Sequence, residues 1–178
     1  MFIIGLSGSG KSSVGRIAAR QLGWGKRDTD ELVVREAKMS IVDIFERFGE
    51  NDFRRRERTA LLTTLGQNHV LIATGGGIVV DARNRSQMLR SGLTVYMKAS
   101  PERCADNLRN SWRREKRPLL EGAEDLEHRL RMLLEERSAF YELAHITVNG
   151  ERERVGQLAT DFLSAIARMG VTAADGQR

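Results

Sequence analysis

The sequence predicts an α/β fold, a parallel sheet of about five strands with helices packed on both of its faces. Two observations carry that expectation. Short apolar runs alternate with longer amphipathic stretches along the chain, which is the pattern of repeated strand-helix units. The glycine- and aspartate-rich turns follow the ends of those apolar runs, where parallel sheets gather ligands beyond the carboxyl ends of their strands. At 178 residues the chain suits one domain, expected over residues 1–169, with a frayed tail at 170–178.

Taken in order, the strands are expected at residues 2–6, 70–73, 94–97 and 146–148, with a weaker one entering Asp28. Helices are expected at 11–22, 30–37, 41–48, 52–65, 82–90, 101–110, 126–143 and 152–167. Ser40 followed by Asp43 has the form of a capping box, and Ser100-Pro101 places a cap before a proline at the first helical position. Residues 113–125, charged and containing Pro118 and Gly122, read as a mobile excursion between two helices, and a lid is expected at about 110–125.

Composition narrows the function. Neither disorder nor a fibrous repeat is indicated by 40% hydrophobic and 30% charged residues with two prolines. The apolar opening is too short for a signal-peptide core or a membrane span. The single cysteine, Cys104, excludes an intrachain disulfide and suits a reducing cytoplasm; it reads as a packing residue. A net charge of +5 can serve nucleic acid, an anionic membrane or small anions. Much of the excess lies in Arg54–Arg58 and 113–117 with Glu57 and Glu115 interleaved, and no aromatic comb accompanies it. Small anionic ligands are therefore expected, with no nucleic-acid or membrane partner and a monomeric state.

The chemistry begins at Gly5-Leu6-Ser7-Gly8-Ser9-Gly10-Lys11-Ser12, which has Walker A spacing between an apolar strand and a helix-forming run. The fold class thereby becomes the three-layer P-loop NTPase sandwich. Backbone N–H groups over Gly8, Ser9, Gly10, Lys11, Ser12 and Ser13 would face ATP phosphates at a helix N-terminus. Lys11 would reach the β- and γ-phosphates, and Ser12 would ligate Mg²⁺.

Asp28-Thr29-Asp30 ends a strand expected to lie beside the P-loop strand. One carboxylate could hold Mg²⁺ through water and the other could accept a hydroxyl proton, although an Asp-x-Asp can equally be a cap and a turn. Arg54 and Glu57 are three apart on an expected helix. They form either a surface ion pair or a fork for a substrate carboxylate with its guanidinium fixed by Glu57. Gly75-Gly76-Gly77 follows the third strand and is either a flexible turn or a place where a ligand meets the backbone. That strand lacks a terminal aspartate, so Asp28 is the better metal candidate. Arg117-Pro118-Leu119-Leu120 and Arg137 supply cations; Arg117, on the excursion, could close over a transferring phosphoryl group. Trp24, Trp112 and His145 read as packing residues, and His69 and His128 carry no functional reading.

Together these residues resemble the shikimate kinase family. The matching segments, in order, are 5–12, Asp28-x-Asp30, Ser-Ile-x-x-Ile-Phe at 40–45, Gly49-Glu50, Phe53-Arg54-x-x-Glu57, Ala-Thr-Gly-Gly-Gly at 73–77, Asn84-Arg85, Ser100-Pro101-Glu102, Arg117-Pro-Leu-Leu, and Glu136-Arg137 with Tyr141. The resemblance spans about residues 2–165. It implies transfer of the ATP γ-phosphate to the 3-hydroxyl of shikimate. It further implies that Asp28 assists the metal through water and Asp30 contacts the accepting hydroxyl. Arg54, Gly76, Gly77 and Arg137 would hold shikimate, the arginines on its carboxylate, and Arg117 would act toward the phosphates. The sequence departs from the family pattern at Lys26-Arg27, where apolar strand residues are usual, at Asn110, near where an adenine-packing arginine is common and Arg109 or Arg113 could substitute, and at His145. The alternatives are a gluconate-type sugar-acid kinase, for which Asp-Gly-Asp and no triple glycine would be expected, a nucleoside monophosphate kinase, for which no base pocket is evident, and a non-catalytic sensor.

Overall fold

The computed structural model describes residues 1–110 and 125–173. Its strands are β1 (Phe2–Ile4), β2 (Gly25–Asp28), β3 (Val70–Ala73), β4 (Thr94–Lys98) and β5 (Ile146–Asn149), all paired in parallel in the order β2-β3-β1-β4-β5. The helices are α1 (Lys11–Leu22), α2 (Thr29–Ala37), α3 (Ile41–Leu62), α4 (Ala82–Ser91), α5 (Pro101–Arg109), α6 (Leu126–Tyr141) and α7 (Val155–Ala167), with a 3-10 turn at Ile78–Val80.

Alternation along the strands builds the two faces. Ile3, Leu71, Val95 and Met97 pack with Val14, Ala18, Leu158 and Phe162 of α1 and α7. Phe2, Ile4, Ile72 and Tyr96 turn the other way, onto Leu61, Met88 and Tyr141. This is the expected three-layer arrangement. A smaller cluster of Val33, Ile44, Phe53 and Ala60 joins α2 to α3.

Three expectations need correction. The strand entering Asp28 does not lie beside the P-loop strand: β3 stands between them, with Asp28 paired to Ala73 and Ile3 to Ala73 on the other side. Burial explains the order. Val70–Ala73 is an apolar segment suited to the interior, while Gly-Lys-Arg-Asp can be accommodated only at an edge, where Lys26 and Arg27 meet solvent. The helices expected at 41–48 and 52–65 are both present as two helical stretches within Ile41–Leu62, separated at Gly49, whose φ of 78° and ψ of 173° are not helical. The last helix starts at Val155 rather than 152, because the preceding loop is tied elsewhere: the Ser100 N–H donates to Glu151 at 2.5 Å, and Arg103 Nη2 donates to the Arg152 carbonyl at 2.7 Å. His145 is more than packing, since its Nδ1 accepts the Thr94 N–H at 3.0 Å and its own N–H donates to the Thr94 carbonyl at 3.0 Å. Both expected caps form, Ser40 with Asp43 and Ser100 on Arg103.

Candidate active site

A cleft of about 1050 Å³ lies beyond the carboxyl ends of the strands and has two chemically different ends. The phosphate-loop end follows directly from the sequence. The loop leaves β1 and enters α1 at Gly10, whose φ of 91° leads into Lys11 at the first helical position. Gly8 is the position where a side chain is least tolerable. Its φ is +86°, and a Cβ there would run into the Cys104 carbonyl of α5, while Asn107 Nδ2 donates to the Gly8 carbonyl at 2.8 Å. The helix that follows β4 thus braces the loop that follows β1. Cys104 is fully buried and burial pushes its thiol up to about 12, so the packing reading holds.

Lys11 is only 7% exposed, and its Nζ donates to the Gly5 and Leu6 carbonyls at 2.8 and 2.7 Å. Gly8, Gly10, Lys11, Ser12 and Ser13 line the cleft. Ser9, expected with them, is fully buried and does not line the cleft, and its Oγ has no hydrogen-bond partner among the described residues. Ser12 Oγ donates to Asp28 Oδ2 at 2.7 Å. Two hard oxygens are thereby joined beside the phosphate loop, even though β2 is two strands away from β1. Asp28 also caps α2, accepting from the Asp30 N–H at 3.1 Å. One residue thus supplies both the helix cap and a carboxylate at the cleft.

At the other end, Asp30, Arg54, Gly76, Gly77 and Arg137 all border the cleft. Arg54 is held on three bonds: Nη1 donates to Glu57 Oε2 at 2.8 Å, and Nε and Nη2 donate to Glu50 Oε1 at 3.2 and 2.9 Å. Glu57 is 1% exposed, and burial raises its carboxyl pKa against the opposing pull of Arg54 and Arg137. The Arg54–Glu57 ion pair is accordingly half-buried, with its carboxylate inside the protein, rather than a surface pair. Arg137 is 5% exposed.

The three glycines are shaped by the protein itself. A Cβ at Gly75 would lie 2.5 Å from Glu57 Oε1 and 2.6 Å from Asp30 Oδ1; at Gly77 it would lie 2.5 Å from both terminal nitrogens of Arg54. At Gly76 it would press on Ser7 of the phosphate loop, at 3.1 Å. The turn is also bonded in place. The Gly75 N–H donates to Thr29 Oγ1 at 3.0 Å, and Tyr141 Oη donates to the Gly76 carbonyl at 2.6 Å. A merely flexible turn is excluded by those bonds. Thr29, Glu50 and Asn107 were not legible as site residues; for Thr29 the signal available was its place between the two aspartates, since a residue whose neighbours face a ligand can itself face the core.

Arg117, Trp112, Pro118 and the rest of residues 111–124 lie outside the described residues. Arg109, considered for the base-packing role, is exposed and donates to Glu127 at 3.0 Å and Asp106 at 3.3 Å. Beyond the phosphate loop the cleft continues along Arg103, Asn107, Leu108, Arg152 and Val155, a stretch of wall that sequence reasoning missed.

Known proteins share this arrangement. The family model described as "Shikimate kinase" matches residues 7–167. A shikimate kinase of Caldanaerobacter subterraneus subsp. tengcongensis is 37% identical over 167 residues, covering 94% of this chain and 95% of that one. The solved structure of shikimate kinase from Acinetobacter baumannii in complex with shikimate is similar with a TM-score of 0.87 at 34% identity, covering 96% of this chain and 94% of its own. A gluconokinase from Sinorhizobium meliloti is similar with a TM-score of 0.63 at 18% identity over 94% of this chain and 91% of its own, a likeness of fold alone.

Proposed function

The chain belongs to the shikimate kinase family, and from that premise we propose how its residues transfer the γ-phosphate of ATP to the 3-hydroxyl of shikimate, giving shikimate 3-phosphate and ADP. The observation that carries the reading is the joining, in one cleft, of a phosphate loop to an end where Arg54 and Arg137 flank Asp30 and the glycine turn. The protein is a phosphotransferase with an alcohol acceptor.

Phosphoryl transfer asks the protein chiefly for positioning and charge stabilisation. The backbone from Gly8 to Ser13, with the N-terminal end of α1, cradles the phosphates. Lys11 exchanges a loop carbonyl for a phosphate oxygen, which its flexible stem permits. Arg54, already oriented by Glu50 and Glu57, offers its outer nitrogens to the acceptor carboxylate together with Arg137. Asp30 accepts the proton of the 3-hydroxyl as its oxygen bonds to phosphorus and the bond to the ADP oxygen breaks. Ser12 Oγ, and Asp28 Oδ2 through water, would hold Mg²⁺, a hard cation that suits such an oxygen pair. Bound there, the ion would neutralise charge on the phosphate oxygens.

The gluconate alternative is disfavoured by the bonded Gly75–Gly77 turn against Arg54, and a non-catalytic sensor by the joint presence of Lys11, Asp30 and Arg54 in the cleft. We take the protein to act as a monomer in the cytoplasm; none of the described helices is long and apolar enough to cross a membrane. The test is ADP release by the purified protein with Mg-ATP, measured with shikimate, with gluconate and with no acceptor. Shikimate-dependent release that Lys11→Ala abolishes is expected. Release indifferent to shikimate would overturn the assignment.

A further inference from the structure

We propose that Lys26 is a tethered counter-cation of the Ser12–Asp28 pair and sets how much magnesium the protein needs to hold a magnesium nucleotide, an inference that rests on the reading of that pair as the metal side of the site. Lys26 and Asp28 are two apart on β2 and therefore point to the same face of the strand. Lys26 Nζ lies 3.8 Å from Asp28 Oδ2, the same oxygen that accepts the Ser12 hydroxyl at 2.7 Å. On its other side the ammonium donates to Glu31 Oε1 at 3.2 Å. The two side chains of the nearer pair are mostly sheltered, 21% exposed for Lys26 and 9% for Asp28. Asp28 and Glu31 border the cleft, whereas Lys26 stands behind them.

An ammonium cannot ligate a metal; it can only repel one. A divalent ion drawn to Asp28 meets a resident positive charge on the same oxygen, and the two cations compete for it. The four-carbon stem gives Lys26 somewhere to go, since Glu31 already holds it from the far side. The competition is thus softened rather than prohibitive. Coulomb repulsion at this separation, screened by nearby solvent, is worth about a threefold to tenfold change in metal affinity. Before metal arrives the same charge compensates Asp28, which keeps its carboxylate turned toward the Ser12 hydroxyl. The basic edge strand, which departs from the family pattern, becomes on this account a determinant of magnesium demand.

The test measures ADP binding by calorimetry, without turnover, in EDTA and across a titration of magnesium at constant ionic strength. It compares the parent protein with Lys26→Met, Lys26→Gln and Lys26→Arg. In both neutral variants the magnesium concentration giving half of the full gain in ADP affinity should fall about threefold to tenfold, and Lys26→Arg should stay within about twofold of the parent. ADP affinity in EDTA should fall in the neutral variants by a smaller factor than the magnesium midpoint does, since Lys26 compensates Asp28 beside the phosphate loop, and should hold in Lys26→Arg. An unchanged midpoint in whichever neutral variant folds would overturn the proposal. So would a loss of ADP affinity in EDTA larger than the shift in midpoint, which would make Lys26 a phosphate contact. If ADP binding by the parent does not depend on magnesium at all, the metal reading of Ser12 and Asp28 fails first and takes the proposal with it, an outcome distinct from the other two.

Discussion

Gly77→Ala is the substitution that separates the two possible meanings of the glycine turn. The added methyl group would lie 2.5 Å from both terminal nitrogens of Arg54 and 2.7 Å from Cζ. To reach ordinary contact distance the guanidinium must retreat by about 1 Å. Its 2.8 Å bond to Glu57 would then break unless Glu57 followed, and Glu57 is 1% exposed in a packed surrounding. The displaced guanidinium would lose one of its charge-assisted hydrogen bonds to the acceptor carboxylate, about 1.5–3 kcal/mol, or about ten- to a hundred-and-fifty-fold in acceptor affinity. The bond broken at Glu57 is lost by the fold as well, about 1.5–3 kcal/mol of stability. The assay is a double-mutant cycle on shikimate binding by calorimetry, with ADP affinity and thermal unfolding as controls. Gly77→Ala should weaken shikimate binding in the parent and add nothing in an Arg54→Ala background. A full penalty in both backgrounds would show that Gly77 meets the acceptor directly, and the argument through Arg54 would be refuted.

Two further expectations follow from the same site. Asp30→Asn keeps the shape but removes the proton acceptor, so kcat should fall about 10²- to 10⁴-fold with ADP affinity unchanged; a normal kcat would remove Asp30 from the proton path. Glu57→Gln should weaken shikimate binding by loosening Arg54, and its effect on stability should depend on pH. The Glu57 carboxyl is raised by burial above its ordinary 4.5, so the folded state favours the protonated form. Parent stability is then lost as pH rises from the ordinary value through the raised one, a loss the neutral amide does not suffer. The unfolding temperature of Glu57→Gln relative to the parent should accordingly climb from pH 4 toward neutrality; a difference that falls with pH would contradict the assigned direction.

What the sequence disclosed of this site depended on how local each feature is. The phosphate loop was legible because its glycines, lysine and flanking strand and helix are contiguous, and Arg54 with Glu57 because three positions along a helix share a face. The position of β2 was misread because nothing in a short strand states its neighbour, although its Lys26-Arg27 pair was the clue that it belongs at an edge. Glu57 could be identified as a partner of Arg54, but its burial could not, since that depends on Gly75 some eighteen positions on. The brace of Asn107 on Gly8 joins residues about a hundred apart, and no periodicity encodes such a contact. The break at Gly49 was legible as the gap between two amphipathic stretches, and the non-helical φ and ψ of that glycine mark it.

The glycine turn also constrains how this active site could change over generations. Each of its three positions is pressed by a different neighbour: two carboxylates at Gly75, the phosphate loop at Gly76 and a guanidinium at Gly77. A side chain gained at any one of them displaces a partner from another part of the chain. Filling this turn therefore disturbs the site before it reshapes the acceptor end. Drift toward a new acceptor must begin elsewhere on the cleft wall, at residues such as Val34, Val42 and Phe45 that border it without being wedged against the machinery.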